Sequence, residues 1–209
     1  DPRNGEHYGF LSHMTSWGGG GAFWGQDGEP AVGAVEVAGA AMTGDVEAVE
    51  YMLPLHIRRY ELDPDSAGAG RWRGGWGTIL EIGPVDHTAQ VNFLGDGMKF
   101  PPPGVLGASS PHDSERVYRK RLIGGGTSEP MKLHTVRKIP PGYVIEIHSP
   151  GGGGVGNPFE REPEAVLKDV HSGLLSIEHA RDDYKVVITQ QDGEDPAIDW
   201  DATAALRNS

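Results

Sequence analysis

The sequence predicts an α+β protein in which short strands dominate and a few short helices follow at the C-terminal end. Three observations support this class. Segments rich in strand-forming residues recur from residue 46 to residue 148, with turn residues between them. The 209 residues include 32 glycines and 16 prolines, many of them clustered at those breaks. After residue 157 the apolar residues take the spacing of amphipathic helices. We expect sandwich or barrel-like sheets, glycine-rich loops and a helical tail.

Three units are expected along the chain. Residues 1–45 are expected to form a glycine-rich loop segment that packs on the rest of the protein. The run Gly18–Gly21 lies there, and interior glycine destabilises a helix or strand by about 0.5–1 kcal/mol relative to alanine. Residues 46–156 are expected to form a β-rich domain, and residues 157–209 a small helical tail.

The first two predicted strands flank Pro54. Val46–Leu53 is rich in strand formers, and Leu55–Leu62 follows the proline. The apolar residues of the second segment change parity halfway, so a bulge is expected near Arg58-Arg59. Five further strands are expected at Thr78–Ile82, Ala89–Leu94, Val117–Ile123, Lys132–Ile139 and Tyr143–His148.

Three short helices are expected in the tail. Pro163 suits the first position of a helix, and Gly173 offers a left-handed residue just beyond its end. Ser176 is expected to cap a second helix, and Asp199 an Ala-rich third one. Between these two helices, Val186–Ile188 is expected to form a short buried strand.

Composition and charge exclude several classes of protein. Without cysteine, the chain can form no disulfide and no thiolate metal site. Its 18 basic and 30 acidic side chains give a net charge of −12, which argues against binding nucleic acid. No apolar segment reaches the roughly 18 residues that a membrane helix needs. Disorder, which a glycine-rich acidic chain permits, is disfavoured by five tryptophans and the strand segments.

The chain begins at Asp1, without an initiator methionine or a signal-like apolar region. We therefore expect a processed product or a part of a longer polypeptide. Since the sequence has neither cysteine nor an export signal, a cytoplasmic location is expected.

Four glycine clusters are candidates for binding an anion, because successive backbone N–H groups can converge on it. The cluster at Pro150–Gly156 fits the pattern G-x-G-x-x-G and follows an expected strand. A dinucleotide site requires a helix at once, whereas Asn157 and Pro158 delay it. Tight turns and close backbone packing are therefore the favoured explanation. Anion binding remains the alternative, with the candidate residues Gly151, Gly152, Gly153 and Gly154.

Arg71 and Arg73 flank a tryptophan in the glycine-rich segment Gly68–Gly77. Arginine binds carboxylate and phosphate groups through its planar fork, and a neighbouring indole can stack on the ligand. The two arginines are therefore candidates for binding an anionic substrate or intermediate. The favoured explanation is structural, since the chain has 30 acidic residues with which they can pair.

The residues alone indicate no metal site and no nucleophile. The nine histidines are dispersed, and none forms a pair with the spacing of metal ligands on a helix or hairpin. The nucleophile motif Gly-x-Ser-x-Gly is absent. Glu47, Glu50 and Glu81 have the chemistry of general bases, but solvated strand carboxylates are far commoner. The catalytic residues are therefore unknown from sequence.

Three motifs, in the same order, resemble the hydantoinase B/oxoprolinase family. Tyr60–Gly77 is similar to the family's glycine segment with arginine and tryptophan. Pro102–Gly107 resembles its Pro-x-Gly-x-x-Gly turn, and Ser149–Arg161 resembles its glycine block leading into Asp/Asn-Pro-x-Glu-Arg. Glu164–Val187 follows the family's closing helices, except that Lys185 replaces a usual glycine. The resemblance covers essentially the whole chain but only the C-terminal portion of the family's longer chains.

The resemblance implies a two-part enzyme that hydrolyses the C–N bond of a cyclic amide with ATP, as N-methylhydantoinase and 5-oxoprolinase do. An A-type subunit of kinase-like fold, which uses ATP and Mg²⁺, phosphorylates the carbonyl oxygen. The B-type subunit, whose C-terminal part this chain resembles, then opens the ring. The alternatives are a subunit of an ATP-dependent ketone carboxylase of the same superfamily, or a non-catalytic scaffold piece of such a complex.

The partners that the resemblance implies are the A-type subunit, the N-terminal portion of the B-type subunit, and a small cyclic amide or ketone. Neither nucleic acid nor a membrane is expected. The metal-binding His/Asp motifs of carboxylase relatives lie in the N-terminal portion, so a divalent metal would bind there. The resemblance implies no cofactor or metal on this chain and carries over no catalytic residue, and the chain alone is expected to be inactive.

Overall fold

The computed structural model describes residues 1–9, 17–32, 44–92, 100–111, 118–126, 128–132, 135–191 and 193–208. In this part of the chain, antiparallel strands and short helices form an α+β fold, which confirms the predicted class. The described strands form open sheets rather than a barrel. None of the described helices is long and apolar enough to cross a bilayer.

The strand-rich part of the chain is followed by most of the helices. In chain order the elements are α1 (Val46–Met52), β1 (Leu55–Leu62), β2 (Thr78–Pro84), β3 (Ala89–Asn92), β4 (Tyr118–Leu122), β5 (Ser128–Pro130), β6 (Val136–Ile139), β7 (Tyr143–His148), a 3-10 turn (Pro158–Glu160), α2 (Pro163–His171), α3 (Ile177–Tyr184), β8 (Ile188–Thr189), β9 (Ala197–Ile198) and α4 (Trp200–Arg207).

Five strands form the main antiparallel sheet, in the order β1-β2-β7-β4-β5. β1 and β2 pair with a register shift between Ile57 and Arg59, which confirms the predicted bulge. One face of this sheet is apolar, since alternate residues of each strand point the same way. Leu80 of β2, Ile145 of β7 and Ile139 of β6 lie in its core, and α1 packs there too. This sheet core is the first of two.

The prediction of a strand at Val46–Leu53 is wrong, because this segment forms the helix α1. The carboxylate of Asp45 accepts a hydrogen bond from the Ala48 amide and caps the first turn. Val49 is buried in the sheet core, and two partly buried apolar residues at helical spacing pack beside it. Burial of this apolar stripe outweighs the strand preference of valine.

Most other strand predictions are confirmed with shifted ends. Those at Thr78–Ile82 and Tyr143–His148 correspond to β2 and β7. The other three correspond to β3, β4 and β6, and parts of those predictions lie outside the described residues, at 93–94, 117 and 133–134. The sequence does not predict β5 or β9, which have three and two residues. Strands so short carry almost no periodicity.

The three predicted tail helices are confirmed as α2, α3 and α4. Pro163 begins α2, and Gly173 follows its end with a φ of +72°. The side chain of Ser176 caps α3, and that of Asp199 caps α4. The short strand expected at Val186–Ile188 is shifted toward the C-terminus, as β8.

Four glycine-rich segments pack backbone against backbone, and we call them the glycine bundle: residues 18–21, 68–77, 103–109 and 150–156. The N–H of Gly152 donates to the Gly75 carbonyl at 2.9 Å, and the N–H of Gly75 donates to the Gly20 carbonyl at 2.8 Å. A Cβ atom on Gly152 would lie 1.8 Å from the carbonyl oxygen of Gly20. Glycine is required there because any side chain would force the segments apart.

The second core joins the glycine bundle to the tail. Trp76 of the bundle is only 1% exposed and is buried with Val166 of α2 and Ala180 and Tyr184 of α3. Bundle and tail therefore share an apolar core, which the main sheet touches only through its edge strand, where Leu62 at the end of β1 packs against it. The division into units 1–45, 46–156 and 157–209 stays a prediction.

Candidate functional site

Buried and partly buried arginine and aspartate side chains join the glycine bundle to the tail, and we call Asp27, Arg73, Arg161 and Asp169 the arginine–aspartate network. Nη1 and Nη2 of Arg161 donate to the two carboxylate oxygens of Asp27 at 2.7 and 2.8 Å. Nη2 also donates to Oδ2 of Asp169, in α2, at 2.9 Å. Arg161 and Asp169 are 4% and 6% exposed, so the bond between them forms where water competes little, whereas the Asp27 side chain is 33% exposed.

Arg73, one of the two arginines predicted to bind an anion, belongs to this network. Its Nε donates to Oδ2 of Asp169 at 3.1 Å, and its guanidinium lies 4.6 Å from the centre of the Trp76 ring. Its backbone N–H donates to Oδ1 of Asp27 at 2.9 Å. Arg73 thus has the acidic partner that the structural explanation requires. An anion-binding role for Arg73 remains a prediction.

The network shifts the pKa values of its members. Burial alone would lower the pKa of Arg161, but the hydrogen bonds and charges of Asp27 and Asp169 outweigh burial and raise it. Burial alone would raise the pKa of Asp27, but Arg161 and Arg73 lower it overall. Burial also raises the pKa of Tyr184, whose ring lies 5.9 Å from the Arg161 guanidinium. Asp27 and Arg161 therefore stay ionised at neutral pH.

Arg71, the other predicted arginine, lies at the surface. Its guanidinium lies 5.0 Å from the centre of the Trp72 ring, and its Nη1 lies 3.5 Å from Oε2 of Glu160. These three side chains line a cleft of about 310 Å³, together with Asp27 and Glu162. An accessible guanidinium beside an indole can bind a carboxylate or phosphate through its fork. Anion binding by Arg71 stays a prediction.

The four predicted glycines, Gly151–Gly154, are buried inside the glycine bundle. The N–H of Gly154 donates to the Ser109 carbonyl at 3.1 Å. A Cβ atom on Gly153 would lie 2.3 Å from the carbonyl oxygen of Pro103. Contacts this short agree with the explanation that these glycines allow backbone segments to pack closely. A role of the four glycines in anion binding remains a prediction.

The second face of the main sheet carries a row of charged side chains that the sequence reasoning missed. Across four strands, Arg59 lies opposite Glu81, Glu81 opposite Glu146, and Glu146 opposite Arg119. Arg121 of β4 forms ion pairs with both glutamates. Two carboxylates directly opposite each other repel, so the arginines on either side compensate them. Glu81 is therefore part of this row, buried rather than solvated.

His148, at the end of β7, lies between two carboxylates. Its Nδ1 is 2.7 Å from Oδ2 of Asp63, and its Nε2 is 3.3 Å from Oε1 of Glu146. Burial alone would lower the pKa of His148, but the two carboxylates outweigh burial and raise it. The alternation in β7 places Glu146 and His148 on one face, whereas no sequence signal indicates Asp63, 85 residues away.

The described part of the chain supplies a scaffold with Arg71 accessible at its surface. Among the described residues, no group of three or more His, Asp and Glu side chains is arranged to hold a metal ion. That this chain binds no metal stays a prediction. That an A-type subunit binds ATP and Mg²⁺ likewise stays a prediction.

The main sheet, the glycine bundle and the three motifs in order define a subunit scaffold of the hydantoinase B class. The Hydantoinase B/oxoprolinase family matches residues 1–158, and the chain belongs to this family. The beta subunit of caprolactamase from Pseudomonas jessenii is 39% identical over 191 residues, which are 90% of this chain and 33% of that protein. The B-type subunit of a candidate D-/L-hydantoinase from Pseudomonas sp. strain NS671 is 36% identical over 197 residues, or 90% of this chain and 31% of that protein.

The same relationship holds in three dimensions. The crystal structure of ATP-dependent caprolactamase from Pseudomonas jessenii matches 100% of this chain and 36% of that chain, with a TM-score of 0.77 and 35% identity. The chain thus spans about a third of the length of these relatives. A more distant relative, the acetophenone carboxylase delta subunit of Aromatoleum aromaticum, is 27% identical over 78% of this chain and 28% of that protein. Several relatives are subunits of multisubunit enzymes.

Proposed function

We propose that this chain is the C-terminal part of the B-type subunit of an ATP-dependent cyclic-amide hydrolase. An A-type subunit transfers the terminal phosphoryl group of ATP to the amide oxygen. Phosphorylation activates the carbonyl carbon, so water adds to it and the C–N bond of the ring breaks, with the nitrogen leaving as an amine. A second water then cleaves the resulting acyl phosphate and releases inorganic phosphate. The B-type subunit holds the activated amide during this second step.

The match to caprolactamase carries the proposal. It extends over the whole chain at 35% identity, and so covers the segments that form the glycine bundle, the arginine–aspartate network and the main sheet. The protein that it matches is an ATP-dependent caprolactamase by name. The family membership of residues 1–158 supports the same class of reaction.

Arg71 is the residue of this chain that the proposal places nearest to an anionic intermediate. Its guanidinium is accessible in the cleft beside Trp72, whereas Arg73 and Arg161 are bound to aspartates inside the network. A phosphorylated amide carries negative charge, which a planar guanidinium binds in bidentate fashion. The glycine bundle fixes the backbone that carries Arg71, so that the charge is held in one position.

Reconstitution tests the proposed function. The chain is co-expressed with the N-terminal portion of the B-type subunit and with an A-type subunit, and the assembly is supplied with ATP and Mg²⁺. Release of ADP and of ring-opened product is measured with hydantoin, 5-oxoproline and caprolactam. We expect hydrolysis of ATP that depends on one of these amides, and none from this chain alone. Absence of stimulation by every cyclic amide and every ketone contradicts the enzyme proposal.

Two arginine variants separate a role at the site from a structural role. Arg71→Lys keeps the charge but loses the planar fork, so turnover is expected to fall while the assembly stays intact. Arg73→Lys tests the predicted anion-binding role of the second arginine in the same way. Because Arg73 binds Asp169, loss of the folded assembly in that variant would indicate a structural role. Steady-state kinetics and the mass of the assembly by light scattering distinguish these outcomes.

A ketone carboxylase is the second candidate, and the acetophenone carboxylase relative supports it. Its identity of 27% is lower than the 39% of the caprolactamase beta subunit. In the reconstitution assay, hydrolysis of ATP that depends on a ketone and bicarbonate would favour the carboxylase. A non-catalytic scaffold piece would leave the rate of the remaining assembly unchanged when this chain is left out.

A further inference from the structure

We propose that protonated His148 is a positioning residue for Arg71. Together with the carboxylates of Asp63 and Glu146 it forms what we call the histidine clamp, which joins two segments of the glycine bundle where they leave the main sheet. The proposal rests on the proposed function, which assigns an anionic intermediate to Arg71. The hydrogen bonds of the imidazole, the charges around it and the backbone path from it to Arg71 each support the proposal.

The two groups that contact the His148 ring can only accept hydrogen bonds when they are ionised. Its Nδ1 lies 2.7 Å from Oδ2 of Asp63, and its Nε2 lies 3.3 Å from Oε1 of Glu146. A neutral imidazole has one N–H, so both contacts are favourable only when His148 is an imidazolium. The side chains of His148, Asp63 and Glu146 are 13%, 14% and 15% exposed, so water replaces these bonds poorly.

The charges on this face of the main sheet balance only when His148 is protonated. The described charged groups are four carboxylates and three guanidiniums, from β1, the residue after it, β2, β4 and β7: Glu61, Asp63, Glu81, Glu146, Arg59, Arg119 and Arg121. Directly opposite His148 on β2 lies the apolar Ile79. Burial alone would lower the pKa of His148, but the two carboxylates of the clamp raise it overall. The clamp is therefore complete at low pH and is lost as pH rises through the raised pKa.

Asp63 and His148 lie where two bundle segments leave the sheet. Asp63 directly follows β1 and leads into the segment that carries Arg71. His148 ends β7 and leads into the segment that ends at Gly156. Farther along, the N–H of Arg71 donates to the Gly156 carbonyl at 3.1 Å. The two segments are thus joined by the clamp at one end and by the backbone of Arg71 at the other.

Close backbone contacts connect the clamp to Arg71. Beside the clamp, a Cβ atom on Gly77 would lie 1.9 Å from the carbonyl oxygen of Ser149. Between the clamp and Arg71, a Cβ atom on Gly74 would lie 1.9 Å from the carbonyl oxygen of Gly152. Packing this close transmits a displacement, because no side chain lies between the segments to absorb it by rotating. Release of the clamp is therefore expected to displace the guanidinium of Arg71 from the position that binds the intermediate.

A double-mutant cycle in the reconstituted enzyme tests the positioning role. kcat and KM for the amide are measured with the native B-type subunit, His148→Gln, Arg71→Lys and the double variant. We expect His148→Gln to lower kcat about tenfold and to leave KM within about twofold, because a neutral amide offers Arg71 no charge before phosphorylation. In the Arg71→Lys background, His148→Gln should change kcat by less than about twofold. The control His171→Gln, at an exposed position of α2, should leave both parameters unchanged.

A permanent positive charge at the same position tests the protonation state. His148→Lys keeps a cation beside the two carboxylates, so its kcat should stay within about threefold of the native value below the folded pKa of His148. The ratio of native kcat to that of His148→Lys should then fall about tenfold as pH rises through that pKa. Titration of ATP and of the A-type subunit affects both proteins equally and cancels in this ratio. A ratio that is independent of pH contradicts the proposal.

Hydrogen exchange of the B-type subunit gives a second readout, which requires no turnover. After correction for intrinsic exchange, protection of the Arg71 and Trp72 amides in the native protein should fall about tenfold as pH rises through the folded pKa of His148. In His148→Gln, protection of these amides should be low at every pH. Constant protection in the native protein overturns the proposal, and so do equal losses of kcat from His148→Gln in both Arg71 backgrounds.

The two readouts also separate the histidine clamp from the proposed function. Protection that depends on pH, in an assembly that no cyclic amide stimulates, supports the clamp and contradicts the proposed function. Amide-dependent ATP hydrolysis with constant protection of the Arg71 and Trp72 amides supports the proposed function and contradicts the clamp.

Discussion

Single glycines of the bundle differ in how closely other backbone approaches them, even within one run of the sequence. A Cβ atom on Gly19 would lie 1.9 Å from the carbonyl oxygen of Gly75, whereas one on Gly21 would have its nearest neighbour, the Gly153 carbonyl oxygen, at 3.9 Å. Neither glycine has a positive φ. Space, and not backbone conformation, therefore separates the two positions.

Gly19→Ala and Gly21→Ala form a matched pair at this scale. Gly19→Ala is expected to lower the free energy of unfolding by about 3 kcal/mol or more, since backbone cannot move aside as a side chain does. Gly21→Ala should change the free energy of unfolding by less than about 1 kcal/mol, because the methyl group meets no close neighbour and alanine restricts the unfolded chain. Urea denaturation measures both. Equal losses in the two variants would contradict the close packing of residues 18–21.

His148 makes stability depend on pH. Its folded pKa is raised by Asp63 and Glu146, so its stabilising contribution is complete below the unfolded pKa of about 6.5 and is lost as pH rises through the folded pKa. The unfolding free energy of the native protein should therefore exceed that of His148→Gln at acidic pH. This excess should shrink by about 0.5–1 kcal/mol at basic pH, after allowance for solvent screening. Urea titrations below and above the pH range in which His148 loses its proton measure this difference. The exposed His171→Gln is the control, and a pH-independent difference for His148→Gln would show that its charge contributes nothing.

At the scale of elements, the arginine–aspartate network connects the 3-10 turn and α2 to the glycine bundle. Arg161→Lys should lower the free energy of unfolding by about 2–3 kcal/mol, because one ammonium cannot replace bonds to both Asp27 and Asp169 in a buried site. Arg71→Lys, at the surface, should change it by less than about 0.5 kcal/mol. Guanidinium denaturation compares the two. If the two substitutions lower the free energy of unfolding equally, burial of the network does not strengthen its ion pairs.

Local signals predicted the tail helices, whereas contacts between residues distant in sequence decided the helix α1 and the arginine–aspartate network. The caps Ser176 and Asp199 lie next to the helices that they start, so the sequence carries the whole signal. α1 is helical because its apolar stripe reaches the sheet core, which valine-rich sequence alone does not indicate. Arg73 and its partner Asp169 are 96 residues apart. No local pattern selects one acidic residue among 30, so the pairing could not be predicted.

At the scale of the whole molecule, two apolar cores meet at the end of β1, where Leu62 packs on the second core, and backbone hydrogen bonds join them there as well. The sheet core contains α1, whereas the second core contains Trp76 and the tail. The N–H of Ser149 donates to the Thr78 carbonyl at 2.8 Å, and the N–H of Asp63 donates to the Gly77 carbonyl at 2.9 Å. These bonds lie where β7, β2 and β1 meet the glycine bundle. Movement of the bundle therefore requires breaking the ends of the central strands.

Such connections predict that the chain unfolds in one step despite its two cores. Far-ultraviolet circular dichroism and tryptophan fluorescence, the latter including Trp76 of the second core, should give the same urea midpoint. Arg161→Lys weakens only the second core directly, yet it should lower both midpoints equally, because the sheet cannot keep its strand ends once the bundle separates. Hydrogen exchange should then show equal protection in β2 and α3. A fluorescence midpoint that falls while the sheet signal persists would mean that bundle and tail unfold independently of the sheet.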